Sequence, residues 1–271
     1  MNWIGLHVQC SDDLRDILLA ELSQLPFSTF EETENGLVAF CESADWQETE
    51  AKEILEKYGV TTFEIKEVEK VNWNEEWEKN YEPIFIKDKI AVRAPFHQPT
   101  GYPLELIIRP QMSFGTGHHA TTHLVLEHQF SLDHKGKKVL DVGCGTGVLA
   151  IMARKQGAHE ILAIDIEDWC VENSKENFAL NHCEDIVAEQ KELHQVADAR
   201  FDIILANITK GVHLELMKLY HSKMNIKGEL IMSGFYESDV KDLKLVVEQS
   251  GFQFIEFNVL DDWAMIACRK L

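Results

Sequence analysis

The apolar positions of this chain fall into short runs divided by turn residues, and their spacing changes between strand and helix periods. NWIGLHVQC alternates in part and predicts a strand. SDDLRDILLAELSQL follows with apolar residues at helical spacing and Ser11 placed to cap it. GLVAFCES from Gly36 predicts a strand, ADWQETEAKEILEKYG a helix stopped by Gly59, and VTTFEIKEV another strand. A weaker strand is expected around Phe30. The order β-α-β-β-α-β predicts a small ferredoxin-like unit over residues 1–68. Residues 69–81, EKVNWNEEWEKNY, read as a charged and aromatic linker, with Trp73 and Trp77 four apart and able to share a helical face.

From residue 82 the pattern is that of a larger α/β domain running to 271. EPIFIKDKIAVRAPF gives two short strands, and LELIIRP a third that Pro110 ends. Phe114-Gly115-Thr116-Gly117 is compact, and THLVLEHQF behind it has helical spacing, with Thr121 and Thr122 placed to cap or begin the helix. VLDVGCGTGVLAIMARKQGA reads as strand, tight glycine turn, helix. ILAIDIEDW is an apolar strand ending at Asp165, EDWCVENSKENFALN a helix, and CEDIVAEQ a weak strand. FDIILANITKG is a clear strand with Asn207 at its C-terminal edge. A helix over HLELMKLYHSKM, a strand ending at Ser233-Gly234, an amphipathic helix over VKDLKLVVEQSG and two terminal strands complete the chain. Repeated strand–helix units of this kind predict a doubly wound sheet.

The candidate chemistry lies at two strand ends. Gly143, Gly145 and Gly147 form G-x-G-x-G, where glycine permits left-handed dihedrals and close approach of the backbone to a ligand. Asp165 stands 22 residues after Gly143, the distance of one helix and one strand, and a carboxylate there can accept from both hydroxyls of a ribose. A dinucleotide-dependent oxidoreductase would use the same spacing, but Val148 stands where G-x-G-x-x-G needs its third glycine. The turn therefore looks more like that of an S-adenosylmethionine methyltransferase. Open N–H groups at the start of the helix near Thr122 could hold the carboxylate of the methionine part. Asn207 offers both an acceptor and a donor beside the turn. His118, His119 and His123 invite a metal, but no H-E-x-x-H arrangement or remote ligand accompanies them, so no metal is expected.

Charge narrows the partner. The chain of 271 residues carries a formal charge of −20, which disfavours a phosphate-rich surface and favours a basic protein. Its six cysteines show no C-x-x-C pair, which fits a reducing cytoplasm. No signal peptide and no membrane-length apolar run are evident.

Read together, MSFGTGHHATTHL, LDVGCGTGVLAI, FDIILANI, IMSGF, DDWAMIACRK and the W-x-x-x-W of the linker resemble the ribosomal protein methyltransferase family known as PrmA over nearly the whole length. Where the family often has a C-P-S-W-type phrase after the linker, this chain reads VRAPF. The resemblance implies a class I S-adenosylmethionine-dependent methyltransferase, with a Rossmann-like seven-stranded sheet over 82–271 and a substrate-recognition domain over 1–68. It implies methyl transfer to the N-terminal α-amine and lysine ε-amines of the eleventh large-subunit ribosomal protein, taken in its free form by a monomeric enzyme, with S-adenosylhomocysteine as product. It implies cofactor contacts at Thr122, Gly143, Asp165 and Asn207, with Phe114, Thr116, Gly117 and Gly145 framing the same site and Asn207 also aligning the amine. The alternatives are a methyltransferase of another protein or small-molecule amine, and a binding module that has kept the fold without the chemistry. A nucleic-acid amine is disfavoured because Asn207-Ile208-Thr209-Lys210 lacks the aromatic residue of an N-P-P-Y phrase.

Overall fold

The computed structural model describes residues 3–33, 35–68, 80–111, 113–197 and 199–271. Trp73 and Trp77 of the expected linker lie outside the described residues. The chain divides into two units, Met1–Tyr81 and Glu82–Leu271.

The first unit holds β1 (Trp3–Gln9), α1 (Asp12–Leu22), β2 (Thr29–Thr33), β3 (Gly36–Glu42), α2 (Glu48–Lys57) and β4 (Phe63–Val68). The sheet order is β2-β3-β1-β4, with every pairing antiparallel, which is the ferredoxin-like arrangement. Alternation along β1 and β3 sends Leu6, Val8, Leu37 and Ala39 to one face, where Leu18, Leu22, Ala51 and Leu55 of the helices cover them. Ser11 is the N-cap residue of α1, yet its hydroxyl makes no capping bond. Asp12 and Asp13 in the first turn instead oppose the positive end of the helix dipole.

The second unit begins with a three-stranded sheet of β5 (Ile84–Ile86), β6 (Ile90–Arg93) and β7 (Leu104–Ile107). Then follow α3 (Ala120–Gln129), β8 (Lys138–Val142), α4 (Val148–Lys155), β9 (Glu160–Asp165), α5 (Asp168–Leu180), β10 (Val187–Gln190) and β11 (Phe201–Asn207). The chain closes with α6 (Lys210–Lys223), β12 (Met224–Tyr236), α7 (Val240–Gln249), β13 (Phe252–Leu260) and β14 (Trp263–Lys270). The large sheet has the order β10-β9-β8-β11-β12-β14-β13. Its first five strands run parallel, and β14 enters antiparallel between β12 and β13. Strand order reverses between β8 and β11, so a crevice opens beyond their C-terminal ends.

Both faces of this sheet are buried, which explains the nearly unbroken apolar runs of its central strands. Val139, Ile161, Ile203, Leu205 and Ile231 face α3, α4 and α5, with Leu126, Ile151 and Phe178 packed on them. Leu140, Ile164, Ile204 and Met232 face α6 and α7 across Met217, Tyr220, Leu243 and Val247. Strand β12 extends to Tyr236, past the end expected at Ser233-Gly234, because β14 keeps pairing with it through Tyr236 opposite Trp263. At the far edge, β13 leaves Ile255, Phe257 and Val259 exposed.

Helix α5 ties the small sheet to the large one through two buried asparagines. The Asn181 side chain accepts from Ile107 N–H at 2.9 Å and donates to Ile107 C=O at 2.6 Å. Asn177 accepts from Arg109 N–H at 2.8 Å and donates to Thr146 C=O at 2.9 Å. The N–H and C=O of Ile107 are thereby satisfied by side chains at an edge of β7 where, among the described residues, no further strand pairs. Replacing Asn177 with leucine leaves a part-buried N–H and a buried C=O without partners. Urea unfolding of Asn177→Leu is expected to show a loss of about 3 kcal/mol, against under about 0.5 kcal/mol for exposed Lys175→Ala on the same helix.

Candidate functional site

The crevice is built on the turn between β8 and α4. Gly143, Gly145 and Gly147 have φ of 72°, 52° and 76°, left-handed values that side chains strain to adopt. Space forbids a side chain as well. A Cβ on Gly145 would lie 2.3 Å from the Phe114 carbonyl oxygen, and one on Gly143 would lie 2.4 Å from Ile208 Cγ2. The turn is therefore closely packed from two directions, by the segment ahead of α3 and by the residue that follows Asn207.

Hydrogen bonds fix it further. Thr146 N–H donates to Phe114 C=O at 2.9 Å, and Thr146 Oγ1 donates to Gly115 C=O at 2.7 Å. On the other side Asp165, at the end of β9, accepts from Gly145 N–H at 3.0 Å through Oδ2 and from Glu167 N–H at 3.1 Å through Oδ1. Each carboxylate oxygen keeps a further lone pair. Beside Asp165, Ile166 leaves 64% of its surface exposed, an apolar ledge of a kind that buried strands seldom offer.

Asn207 and Thr122 meet directly. Asn207 Nδ2 donates to Thr122 Oγ1 at 3.2 Å, and Asn207 Oδ1 is a buried acceptor with no partner. Thr122 is itself fully buried. The structure thus brings Phe114, Gly143, Gly145, Asp165, Thr122 and Asn207 into one connected set. Gly117 faces elsewhere: it is packed on the three-stranded sheet, where a Cβ would meet Ile84 Cδ1 at 3.0 Å. Thr116 Oγ1 lies 3.4 Å from His118 Nδ1.

Thr121 and Thr122 lie in the first turn of α3, as residues that begin the helix, but neither caps it. The N-cap is His119, whose Nδ1 accepts from Thr121 N–H at 3.3 Å and lies 2.8 Å from Thr121 Oγ1. Thr122 N–H donates to His119 C=O at 3.0 Å. The amides of Thr121 and Thr122 are therefore occupied rather than open to a ligand carboxylate. The rule that ranks threonine as a cap favours the wrong residue here, because an imidazole acceptor two residues earlier reaches the same amide. Of the other two histidines, His118 Nε2 lies 3.2 Å from Glu82 C=O, and His123 lies 3.8 Å from Glu127.

The pattern around Asp141 does not mark it for a role, yet its carboxyl is strongly perturbed. It is fully buried, its Oδ2 accepts from Ala150 N–H at 3.2 Å, and its Oδ1 has no partner. Burial pushes its pKa up to about 7, with the nearby Asp165 charge adding to the rise and the Ala150 hydrogen bond opposing it. The signal available in sequence was an acid at the end of a buried strand, just before the glycines.

Parallel strands in this order, an antiparallel hairpin at one side and a glycine turn clasped by an acid from the next strand define the class I S-adenosylmethionine-dependent methyltransferases. The family model for ribosomal protein L11 methyltransferase (PrmA) matches residues 16–271, and the chain belongs to that family. A ribosomal protein L11 methyltransferase of Porphyromonas gingivalis is 43% identical over 93% of this chain and 89% of its own length. One from Chlorobaculum tepidum is 34% identical over 97% of this chain and 94% of its own. Among solved structures, a ribosomal protein L11 methylase from Lactobacillus delbrueckii subsp. bulgaricus is similar with a TM-score of 0.65 and 31% identity, covering 70% of this chain and all of that one.

The raised pKa of Asp141 makes a signed prediction for the ligand-free protein. Between an ordinary carboxyl pKa of 3.8 and the folded value of about 7, the folded state holds a proton that the unfolded chain has lost. This group therefore favours the fold below pH 4 relative to above pH 7, and stability falls as pH rises through that window. Asp141→Asn cannot ionise, while its carbonyl can still accept from Ala150. In urea titrations the stability difference should move in favour of the variant by up to about 4 kcal/mol between these limits and stay level above them. A difference independent of pH would show that Asp141 ionises normally.

Proposed function

We propose that this protein transfers methyl groups from S-adenosylmethionine to the N-terminal α-amine and lysine ε-amines of ribosomal protein L11. Membership of the L11 methyltransferase family supports the reading. The observation that carries it is the buried, unpartnered Asn207 Oδ1 beside a glycine turn that admits no side chain. A buried acceptor left without a partner is costly, and a bound N–H donor satisfies it.

The residues present fit the donor. We assign the ribose hydroxyls to the free lone pairs of Asp165, and close backbone approach to Gly143 and Gly145, with Phe114 framing the same crevice. Thr116 and Gly117 belong to the segment that carries Phe114 toward the turn. Bound there, the donor supplies a methyl made electrophilic by sulfonium charge. Thr122 holds the Asn207 amide by its Nδ2, which leaves the carbonyl oxygen to orient an amine N–H. Asn207 is the residue assigned to that alignment, and it cannot take a proton. A lysine must arrive deprotonated or lose its proton on desolvation, since its usual pKa is about 10.4. Transfer then needs only alignment and exclusion of water, with the C–S electrons returning to sulfur as the N–C bond forms and S-adenosylhomocysteine left as product.

The same reading gives residues 1–68 the task of recognising the acceptor protein and 69–81 that of linking it to the catalytic domain over 82–271. The charge of −20 suits a basic, free ribosomal protein rather than nucleic acid. A monomer acting in the cytoplasm, without metal, completes the proposal. Among the described residues no helix is long and apolar enough to cross a membrane, and no group of side chains is placed to hold a metal ion.

The test is methyl transfer from labelled donor to purified L11, read by intact mass. Calorimetry with Asp165→Ala should show donor affinity lowered by about tenfold to a hundredfold, the worth of one or two hydrogen bonds to a charged group. Unchanged affinity removes Asp165 from the ribose. Asn207→Ala should slow a single turnover by at least about tenfold, and an unaltered rate removes Asn207 from alignment of the amine.

A further inference from the structure

Four rings form a continuous row at the C-terminal edge of the large sheet. Tyr236 stacks on Trp263 with centroids 4.2 Å apart and planes inclined by 30°. Trp263 meets His119 edge to face at 4.5 Å, and His119 meets Phe114 at 5.1 Å. The two ends stay open: Phe114 is 50% and Tyr236 49% exposed. Large rings left half in water give up burial that a core would have supplied.

Every ring is anchored to the crevice. Phe114 bonds Thr146 of the glycine turn through its carbonyl, and His119 caps the helix whose Thr122 holds Asn207. Asn207 lies opposite Ser233 on β12, and the same strand continues to Tyr236, opposite Trp263. A second link runs from the helix after Asn207: Lys210 Nζ pairs with Asp239 at 2.8 Å, and Asp239 accepts from Tyr236 N–H at 3.2 Å.

The hairpin tip beside Trp263 adds charge. Asp261 and Asp262 are the two residues between β13 and β14, with φ of 48° and 66°. Such a turn favours Asn-Gly, so two aspartates hold it at a conformational cost. Both are exposed, and Asp262 C=O accepts from Glu237 N–H at 2.8 Å, which sets a third acid at the same rim.

We propose that the row Phe114–His119–Trp263–Tyr236, with its acidic rim, seats the acceptor alkylammonium and its methylated forms. The proposal rests on the function proposed above and names the subsite that its substrate would use. Ring faces attract a cation without needing N–H donors, and they pack equally well on the aliphatic stem of lysine. That property matters for repeated transfer. Each added methyl removes a donor from the nitrogen while its positive charge persists, so a seat made of hydrogen-bond acceptors weakens at each step. A seat made of rings holds the mono- and dimethyl cations between rounds, the outlying carboxylates draw in the cation at the start, and its proton leaves to solvent before each transfer.

Two measurements test this on the full chain. In the first, wild type, Trp263→Leu, Tyr236→Leu and Tyr236→Phe methylate L11 at equal total turnover, and intact mass gives the product distribution. The leucine variants should accumulate mono- and dimethyl products, with KM for L11 raised about tenfold for the loss of one ring–cation contact. Tyr236→Phe should keep the wild-type distribution. Leucine variants that fold and keep that distribution overturn the proposal. In the second, saturation-transfer NMR on wild type compares Nε-trimethyl-lysine with its neutral tert-butyl isostere, with S-adenosylhomocysteine present. Transfer from aromatic protons to the cation but not to the isostere supports the seat, and equal or absent transfer overturns it. This second measurement needs neither turnover nor a variant that folds. An enzyme that methylates no L11 yet binds the cation on these rings would sink the L11 reading and leave the seat standing.

Discussion

The glycine turn after β8 holds a single shape because it is gripped from both sides. The Asp165 carboxylate holds Gly145 N–H, and the Phe114 carbonyl holds Thr146 N–H. Left-handed glycines alone would lose much conformational entropy on being fixed and would have little to offset it. The two bonds, together with Asn177 on the Thr146 carbonyl, fix the turn in a single shape. They also join three regions distant in sequence: the segment ahead of α3, the end of β9 and helix α5. A ligand in the crevice then meets groups already in place, so ordering costs little at the moment of binding.

Two of the unsatisfied atoms of the second unit lie at the crevice. Asn207 Oδ1 and Asp141 Oδ1 are both buried and both without partners. Several buried polar groups of the scaffold are paired instead. Asn177, Asn181 and Lys270 spend their donors and acceptors on backbone groups. His213 is buried deeply enough to push its pKa down to about 4, and as a neutral ring it lies 2.9 Å from the Ser233 carbonyl. A site must keep bonding capacity for what it binds, and Asn207 Oδ1 has it; Gln129 and Asn173 also keep buried side-chain atoms without a partner.

Much of this was legible in the chain because local and global signals agree. The runs around Val139, Ile161 and Ile203 are apolar on both faces, as strands buried between two helix layers must be. The glycines and Asp165 stand at separations that only a strand–turn–helix–strand unit gives meaning. Other features depend on partners far away in sequence. His119 in place of threonine at the cap, the passage of β12 beyond Gly234 and the bonds of Asn177 to Arg109 and Thr146 each need a neighbour that spacing cannot reveal. The rise in the pKa of Asp141 likewise depends on complete burial, which the same acid at a strand end need not have.

The treatment of the sheet margins has a consequence for how copies of the chain meet one another. Ile107, on β7, has its amide and carbonyl engaged by the Asn181 side chain, which blocks strand addition at that point of the margin. The margin at β13 has no such cover, and it displays Ile255, Phe257 and Val259 to solvent. Self-association at high concentration has an apolar face to begin on at β13, and charges grafted there would raise solubility without touching the crevice.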